Sequence, residues 1–154
     1  MALEHVRGER MINTPAAAVE LHWNSGYNFT AQDNLGHTLT VDAPIQPNDQ
    51  FDGFKPTYLL LTGLGACTGI DVVSILKKKR QEVTSFDVKV HGEQQEDWPK
   101  AWTRFHVEYT VTGHNINTKA VERAIQLSEE KYCSVSATLS GSVEITRSYK
   151  VISS

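Results

Sequence analysis

Residues 56–80 read PTYLLLTGLGACTGIDVVSILKKKR, and this stretch decides the fold. Proline is favoured at the first position of a helix, and the four basic residues that end the stretch suit the negative end of a helix dipole. Between Tyr58 and Leu76 the only charged residue is Asp71. A helix that lacks a polar face must be covered on nearly all sides. The stretch therefore predicts a long helix that is buried by a sheet and by a partner helix.

The length and apolarity of this helix would also fit a membrane span. Three glycines, several hydroxyl residues and a central carboxylate argue against that interpretation, and no other segment of the chain is membrane-like. We therefore expect no membrane insertion. Gly65 and Gly69 are four residues apart and would let another backbone approach the helix closely.

The composition is typical of one globular domain, with 154 residues of which 40% are hydrophobic and 21% are charged. Within this single domain, residues 1–15 show no periodicity and are predicted to form an irregular arm. Charges in the arm stand where a signal peptide needs an apolar core, so we expect a cytoplasmic protein with reduced thiols. The net charge is −3 and basic residues are scattered outside residues 77–80, which argues against a nucleic-acid partner.

Alternating apolar residues predict strands on both sides of the long helix. Residues 17–43 read as a three-stranded meander, followed by a loop over residues 44–55 that contains two prolines. After the helix, residues 86–90 and 105–111 read as a hairpin, and residues 143–151 as a closing strand.

A second helix is predicted between the hairpin and the closing strand. Asn117 or Thr118 would cap it, and an amphipathic stripe extends to Tyr132. Strands, a long helix, a hairpin, a second helix and a last strand make an α+β fold rather than a repeating βαβ fold.

The chain has two cysteines, Cys67 and Cys133, without a CxxC pair and without histidines at zinc-finger spacing. The six histidines are dispersed, so we expect no metal site, and no motif indicates a bound cofactor. From its surroundings alone, Cys67 reads more readily as a small buried side chain than as a reactive thiol. Cys133 would lie at the C-terminal end of the second helix, where the helix dipole disfavours a thiolate.

Two segments resemble the OsmC/Ohr family of redox proteins. In PTYLLLTGLGACTGIDVVSIL a proline opens the helix and a cysteine follows eleven positions later, as in the signature helix of that family. The segment LSEEKYCSVSATL, residues 127–139, resembles the family's second-cysteine region. From these matches the chain is identified as a member of the family over roughly residues 17–152.

The resemblance implies an intertwined homodimer in which two long central helices are wrapped by antiparallel sheets from both chains. It also implies that Cys67 attacks the O–O bond of a small hydrophobic hydroperoxide and becomes a sulfenic acid. Cys133 would resolve that acid as a disulfide, which a dithiol reductant then reopens. Such a cycle needs two thiols, because a sulfenic acid without a partner thiol is oxidised further. The implied role is defence against oxidative stress.

The chain departs from the family's peroxidases at the residues that activate the first cysteine. In those proteins an arginine from an early loop stabilises the thiolate, and a glutamate just after the helix-opening proline holds the arginine. Here Thr57 and Tyr58 follow the proline, and no Lys or Arg stands between Arg10 and Lys55. The usual pair is missing, which makes Arg7, Arg10 or a basic residue of a second subunit the candidate cation. Tyr58 is a further candidate for a supporting role.

Asp71 lies one helical turn after Cys67 and is a further candidate site residue. As an anion it would disfavour a thiolate unless a cation pairs with it, and a carboxylate bonded to backbone or to a strand is an equal alternative. Two functions stay open on this sequence. One is a thiol-dependent peroxidase. The other is a catalytically weak binding or redox-sensing protein that keeps the cysteines without the activating pair.

Overall fold

The computed structural model describes residues 17–154. It comprises two compact units, whose boundary falls after Pro56. The irregular arm expected over residues 1–15 lies outside the described residues, as do Arg7 and Arg10. The expectation of a single domain stays a prediction.

The first unit contains the predicted meander. Its antiparallel strands, in chain and sheet order, are β1 (Val19–Ser25), β2 (Asn28–Asp33) and β3 (Thr38–Val41). Side chains alternate between the two faces of a strand, which places Val19, Leu21 and Trp23 on one apolar face. These three side chains are 60%, 59% and 61% exposed. The face is therefore an uncovered apolar surface in a single chain.

The second unit contains the long helix, a sheet and a helical crossover. Its elements are α1 (Tyr58–Lys78), β4 (Glu82–Gln94), β5 (Trp102–His114), α2 (Thr118–Leu127), α3 (Ser134–Leu139) and β6 (Glu144–Ser153). The α+β class and the order of the predicted elements are confirmed.

One pairing in the second sheet departs from the antiparallel sheets that the resemblance implied. Strands β4 and β5 form the predicted antiparallel hairpin, whereas β6 pairs with β5 in parallel, with Arg147 opposite Val107. Parallel strands need a crossover of a dozen or more residues. Residues 115–143 supply that crossover, because α2 and α3 return the chain to the starting end of β5.

The helical crossover differs from the single second helix that the sequence predicts. Asn117 caps α2 as expected, and its side chain accepts a hydrogen bond from the Lys119 backbone N–H at 3.0 Å. The α-helix ends at Leu127, however, and a π-helical turn covers Ser128–Tyr132. The short helix α3 that follows was not predicted.

Two glycines let α1 lie close against β4. A Cβ atom on Gly65 would come within 2.9 Å of Val90 Cγ2, and one on Gly69 within 3.3 Å of Val88 Cγ2. The sequence suggested that another backbone approaches the helix at these glycines. In the structure the groups that approach are side chains of the strand. The fully buried apolar residues of the helix are Leu64, Val72 and Leu76.

The other side of α1 is apolar and exposed. Ile70 is 71% exposed and Leu60 is 44% exposed, and only 33% of the most apolar stretch of the helix is buried. Length and composition alone would let this helix cross a membrane. Its burial on one side against a sheet fits the core helix of a globular unit, and the expectation of no membrane insertion stays a prediction.

Gly65→Ala should reduce stability relative to Gly63→Ala on the same helix. Both substitutions gain the same helix propensity, but only the methyl group at position 65 meets Val90 at 2.9 Å, whereas the one at 63 has its nearest neighbour at 3.9 Å. Overpacking of this kind costs about 1–3 kcal/mol. Urea unfolding followed by circular dichroism measures the difference, and equal stability of the two variants would contradict the close packing of α1 on β4.

Candidate functional site

Two cysteines and one aspartate converge beside the long helix. The sulfurs of Cys67 and Cys133 and a carboxylate oxygen of Asp71 all lie within 4.8 Å of one another. Cys67 and Asp71 are one turn apart on α1 and so share a face of the helix. Cys133 comes from the crossover. The fold thus brings together the two thiols that are far apart in sequence, while their catalytic roles stay predictions.

A π-helical turn sets the position of Cys133. The Cys133 backbone N–H donates to the Ser128 carbonyl at 2.8 Å, a bond that spans five residues instead of the usual four. The backbone of Cys133 is then extended, with φ −74° and ψ 97°, and Cys133 caps the start of α3. Its sulfur accepts a hydrogen bond from the Ser136 backbone N–H at 3.3 Å. Cys133 thus lies at the end of the helical segment that continues α2, as expected, but a further helix that the sequence did not predict begins at the same residue.

The pKa of the Cys133 thiol is nevertheless raised, to about 11. Burial is the largest cause, since only 3% of the residue is exposed, and the hydrogen bond to Cys67 comes next. The Ser136 N–H opposes these effects, and the negative charges of Cys67 and Asp71 add to them. Cys133 is consequently a neutral thiol at physiological pH, for a different reason than the sequence indicated.

Asp71 is held by a buried chain of hydroxyl groups. Ser128 Oγ donates to Asp71 Oδ2 at 2.8 Å and lies 2.9 Å from Thr68 Oγ1. The Thr68 hydroxyl lies 2.7 Å from the hydroxyl of Tyr109. Burial raises the pKa of Tyr109, and the hydrogen bond with Thr68 opposes that rise. Asp71 is thus hydrogen-bonded, but its partner is a side-chain hydroxyl of the π-helical turn and not the backbone or a strand.

A buried arginine that sequence reasoning missed approaches the same site. Only 9% of the Arg147 side chain is exposed, and its Nη1 lies 2.6 Å from Glu129 Oε1. Its Nη2 donates to Ser136 Oγ at 2.8 Å, and Ser136 is the residue whose backbone N–H reaches the Cys133 sulfur. An arginine–glutamate pair is therefore present near the cysteines, built from β6 and the π-helical turn instead of from the N-terminal region.

The sequence carried a signal for this arginine. In the closing strand, Ile145, Tyr149 and Val151 define the apolar period, and Arg147 occupies a position of that same period. A charged residue on the apolar face of a strand is rarely buried without a partner. This position predicts that Arg147 is buried and paired with another group, but the spacing alone does not identify Glu129 as the partner.

The remaining candidate residues do not join the cluster. Tyr58 is the first residue of α1, nine positions before Cys67 and so about 14 Å from it along the helix axis. Arg10 lies outside the described residues. The sequence predicted no metal site, yet in residues 17–154 two thiols and one carboxylate meet at ligand-like distances without a histidine.

The α+β fold, with one thiol on the long helix and the second on the crossover beside it, is the arrangement of a cysteine-based redox protein. The family model of the OsmC-like proteins matches residues 47–148. Protein YhfA of Escherichia coli K12 is 38% identical over 130 residues, which cover 84% of this chain and 94% of YhfA. The chain belongs to the OsmC-like family.

Solved structures share the fold. A hypothetical protein from Aquifex aeolicus VF5 is 33% identical, with a TM-score of 0.80 over 92% of this chain and 99% of that one. An organic hydroperoxide resistance protein OsmC from Legionella pneumophila is 15% identical, with a TM-score of 0.63 over 92% of this chain and 99% of that one. The second likeness concerns the fold alone.

The rate of alkylation should depend on pH differently at the two thiols. Because the pKa of Cys133 is about 11, its thiolate fraction is very small at pH 7 and rises about tenfold per pH unit up to that value. Treatment of the native protein with iodoacetamide should modify Cys67 first, with modification of Cys133 increasing steeply as the pH rises. Peptide mapping by mass spectrometry reads both sites, and urea-unfolded protein is the control in which both react alike. Rapid modification of native Cys133 at neutral pH would contradict this assignment.

Proposed function

We propose that this protein reduces small hydrophobic organic hydroperoxides in the cytoplasm, as part of the defence against oxidative stress. Cys67 is the thiol that attacks the peroxide, and Cys133 is the thiol that resolves the product. The observation that carries the proposal is the separation of the two sulfurs, which is at most 4.8 Å in the reduced state. Membership in the OsmC-like family supports it, and one relative by fold is an organic hydroperoxide resistance protein.

The first step falls to Cys67 because it is half-buried, whereas Cys133 is almost fully buried. The thiolate of Cys67 attacks one peroxide oxygen, so that an S–O bond forms and the O–O bond breaks. The alkoxide leaves and takes up a proton to become the alcohol. Cys67 ends this step as a sulfenic acid.

The second step uses the change that the first step makes in the surroundings of Cys133. The charge of Cys67 and its hydrogen bond are two of the causes that raise the Cys133 pKa. A sulfenic acid carries no such charge, so oxidation of Cys67 makes Cys133 easier to deprotonate. Cys133 then attacks the Cys67 sulfur, an S–S bond forms, and hydroxide leaves as water. The sulfurs must approach to about 2.05 Å, and a dithiol reductant reopens the bond.

The ion pair of Arg147 and Glu129 supports an active enzyme. It brings a cation to Ser136, beside the cysteine cap, in a chain that lacks the usual early arginine. The guanidinium also opposes the rise in the pKa of Tyr109. Through Ser136, whose backbone N–H bonds the Cys133 sulfur, Arg147 is a candidate to replace the missing pair.

Asp71 favours the second candidate function, a catalytically weak binding or redox-sensing protein. Its carboxylate lies within 4.8 Å of both sulfurs and is bonded to a neutral hydroxyl. A negative charge at this distance disfavours a thiolate. A protein of this second kind would form the disulfide once and turn over slowly.

Cys67→Ser should abolish hydroperoxide reduction, and Cys133→Ser should permit one turnover and then stall, because only the first thiol attacks the peroxide. The assay follows cumene hydroperoxide with a lipoyl-type dithiol as the reductant, and dimedone labelling detects the stalled sulfenic acid. His91→Gln is the control, since His91 is exposed on β4 and bonds Glu108 instead of the cluster. Unchanged peroxide consumption in Cys67→Ser would refute the catalytic role. One stoichiometric oxidation without turnover in the native protein would favour the sensing function.

We also propose that the protein works as a homodimer. The exposed side of α1 and the exposed apolar face of β1 both present large hydrophobic residues to solvent in a single chain. Each of the two is an exposed apolar surface of the kind that marks an interface. A second copy of the chain is the occupant that the family resemblance implies.

Ile70→Glu should weaken the dimer, because Ile70 is 71% exposed on the apolar side of α1 and a charge there would be buried by a second copy. Sedimentation equilibrium at micromolar concentration should show a dimer for the native chain and a shift towards monomer for the variant. Lys78→Glu, at the polar end of the same helix, should leave the mass unchanged. A well-folded native monomer would contradict the proposal.

A further inference from the structure

We propose that Cys67, Asp71 and Cys133 form a binding site for one thiophilic divalent cation of the Zn²⁺ type. The sequence carries neither a CxxC pair nor zinc-finger spacing, and the third ligand joins the other two only because the fold brings α1 and the crossover together. Metal binding needs the two thiols and the carboxylate in the reduced protein. It does not depend on peroxide turnover, so this proposal goes beyond the proposed function.

The donor set and its geometry suit zinc. Two cysteine sulfurs and a carboxylate oxygen are among the ligands that Zn²⁺ prefers, with Zn–S near 2.3 Å and Zn–O near 2.1 Å. A tetrahedral ion at those lengths places its ligand atoms about 3.6–3.8 Å apart. The three atoms of this cluster lie within 4.8 Å of one another, so a contraction of at most about 1.2 Å brings them to these separations.

The two ligands on α1 have the spacing that is common for metal ligands on one helix. Cys67 and Asp71 are four residues apart, the spacing that places two ligands on one face in helical zinc motifs. Cys133 reaches them from the start of α3, on a separate element. A ligand pair from one helix and a third ligand from another element enclose an ion from two sides.

Hydrogen bonds already orient two of the three ligands. Ser128 holds Oδ2 of Asp71 at 2.8 Å, and the Ser136 backbone N–H points at the Cys133 sulfur at 3.3 Å. Outer hydrogen bonds of this kind fix ligand orientation in metal sites, and their loss costs about 10–100-fold in metal affinity.

The burial of the three ligands determines how an ion would enter the site, and their number determines how many further ligands it would need. Cys67 and Asp71 are half-buried, so an ion can enter from their side, while Cys133 is buried behind them. Within residues 17–154 no fourth His, Cys, Asp or Glu joins the cluster. A water molecule or another small ligand would take the fourth position, as in zinc sites that keep an open place.

Metal and disulfide would exclude each other, and this consequence alone rests on the proposed function. Both states use the same two sulfurs, and a disulfide leaves neither of them able to bind a cation. Zn²⁺ would therefore protect the thiols from oxidation while it is bound.

Metal titration of the full-length, reduced, metal-free protein tests the site. Co²⁺ reports thiolate ligation through its charge-transfer absorption, and Zn²⁺ affinity is measured by competition with a chromophoric chelator. We expect one equivalent of bound metal and a thiolate-to-cobalt band that is lost in Cys67→Ser and in Cys133→Ser. Asp71→Asn should keep both thiols but weaken Zn²⁺ binding at least tenfold, and Ser128→Ala should weaken it about tenfold.

Matched controls distinguish this site from adventitious binding. His91→Gln/His106→Gln removes an exposed and a half-buried imidazole whose ring centres are 6.4 Å apart, and it should leave the affinity unchanged. Should a cysteine variant fail to fold, blocking Cys67 with N-ethylmaleimide in the native chain should abolish the band equally well.

The absence of a thiolate-to-cobalt band in the native protein would overturn the metal site, as would an unchanged Zn²⁺ affinity in Asp71→Asn. Loss of binding in the histidine variant would also overturn it. Peroxide reduction without metal binding refutes this inference alone. Metal binding by a protein whose Cys67→Ser variant still consumes peroxide refutes the proposed function alone.

Discussion

The close packing of α1 on β4 is the constraint from which the arrangement of the second unit follows. Gly65 and Gly69 bring one side of the helix within contact distance of Val88 and Val90. Each residue advances about 100° around a helix, so Cys67 lies roughly opposite Gly65 on the helix surface. Anchoring the glycine side to the strand therefore turns the cysteine away from the sheet and towards the helical crossover. A looser contact would leave the orientation of the thiol undetermined.

Burial dominates the electrostatics of the site. Cys133 receives a backbone N–H at the start of a helix, an arrangement that by itself favours a thiolate. The removal of water and the proximity of Cys67 and Asp71 outweigh that single donor, and the pKa rises instead of falling. The site therefore keeps its buried sulfur protonated until its surroundings change. Oxidation of Cys67 and the arrival of a cation are two changes that would release that proton.

Much of the fold was accessible from the sequence because it rests on local periodicity. Three features can be predicted from short stretches of sequence: the apolar run over residues 56–80, the meander, and the capped helix after Asn117. The parallel pairing of β6 could not be predicted in this way, because it depends on the length and direction of the crossover. The convergence of Cys67 and Cys133 was implied only by the family resemblance, since nothing in their local surroundings relates them.

The polar surroundings of the cysteines could not be predicted in the same way. Thr68, Ser128 and Tyr109 are ordinary residues in ordinary positions, and their hydrogen bonds link α1, the π-helical turn and β5. The π-helical turn itself has no reliable sequence signature, so the start of α3 and the cap made by Cys133 were missed. Single-residue irregularities of this kind are common at functional sites.

That irregularity sets the tolerance of this segment to changes in length. A π-helical turn accommodates one residue more than the α-helical turn that it replaces. Loss of one residue within the turn would therefore restore regular α-helix and leave the chain that follows in about the same orientation. The second sulfur would still face the first. The stretch from Ser128 to Cys133 is thus the place where this helical segment can lose a residue without turning Cys133 away from Cys67.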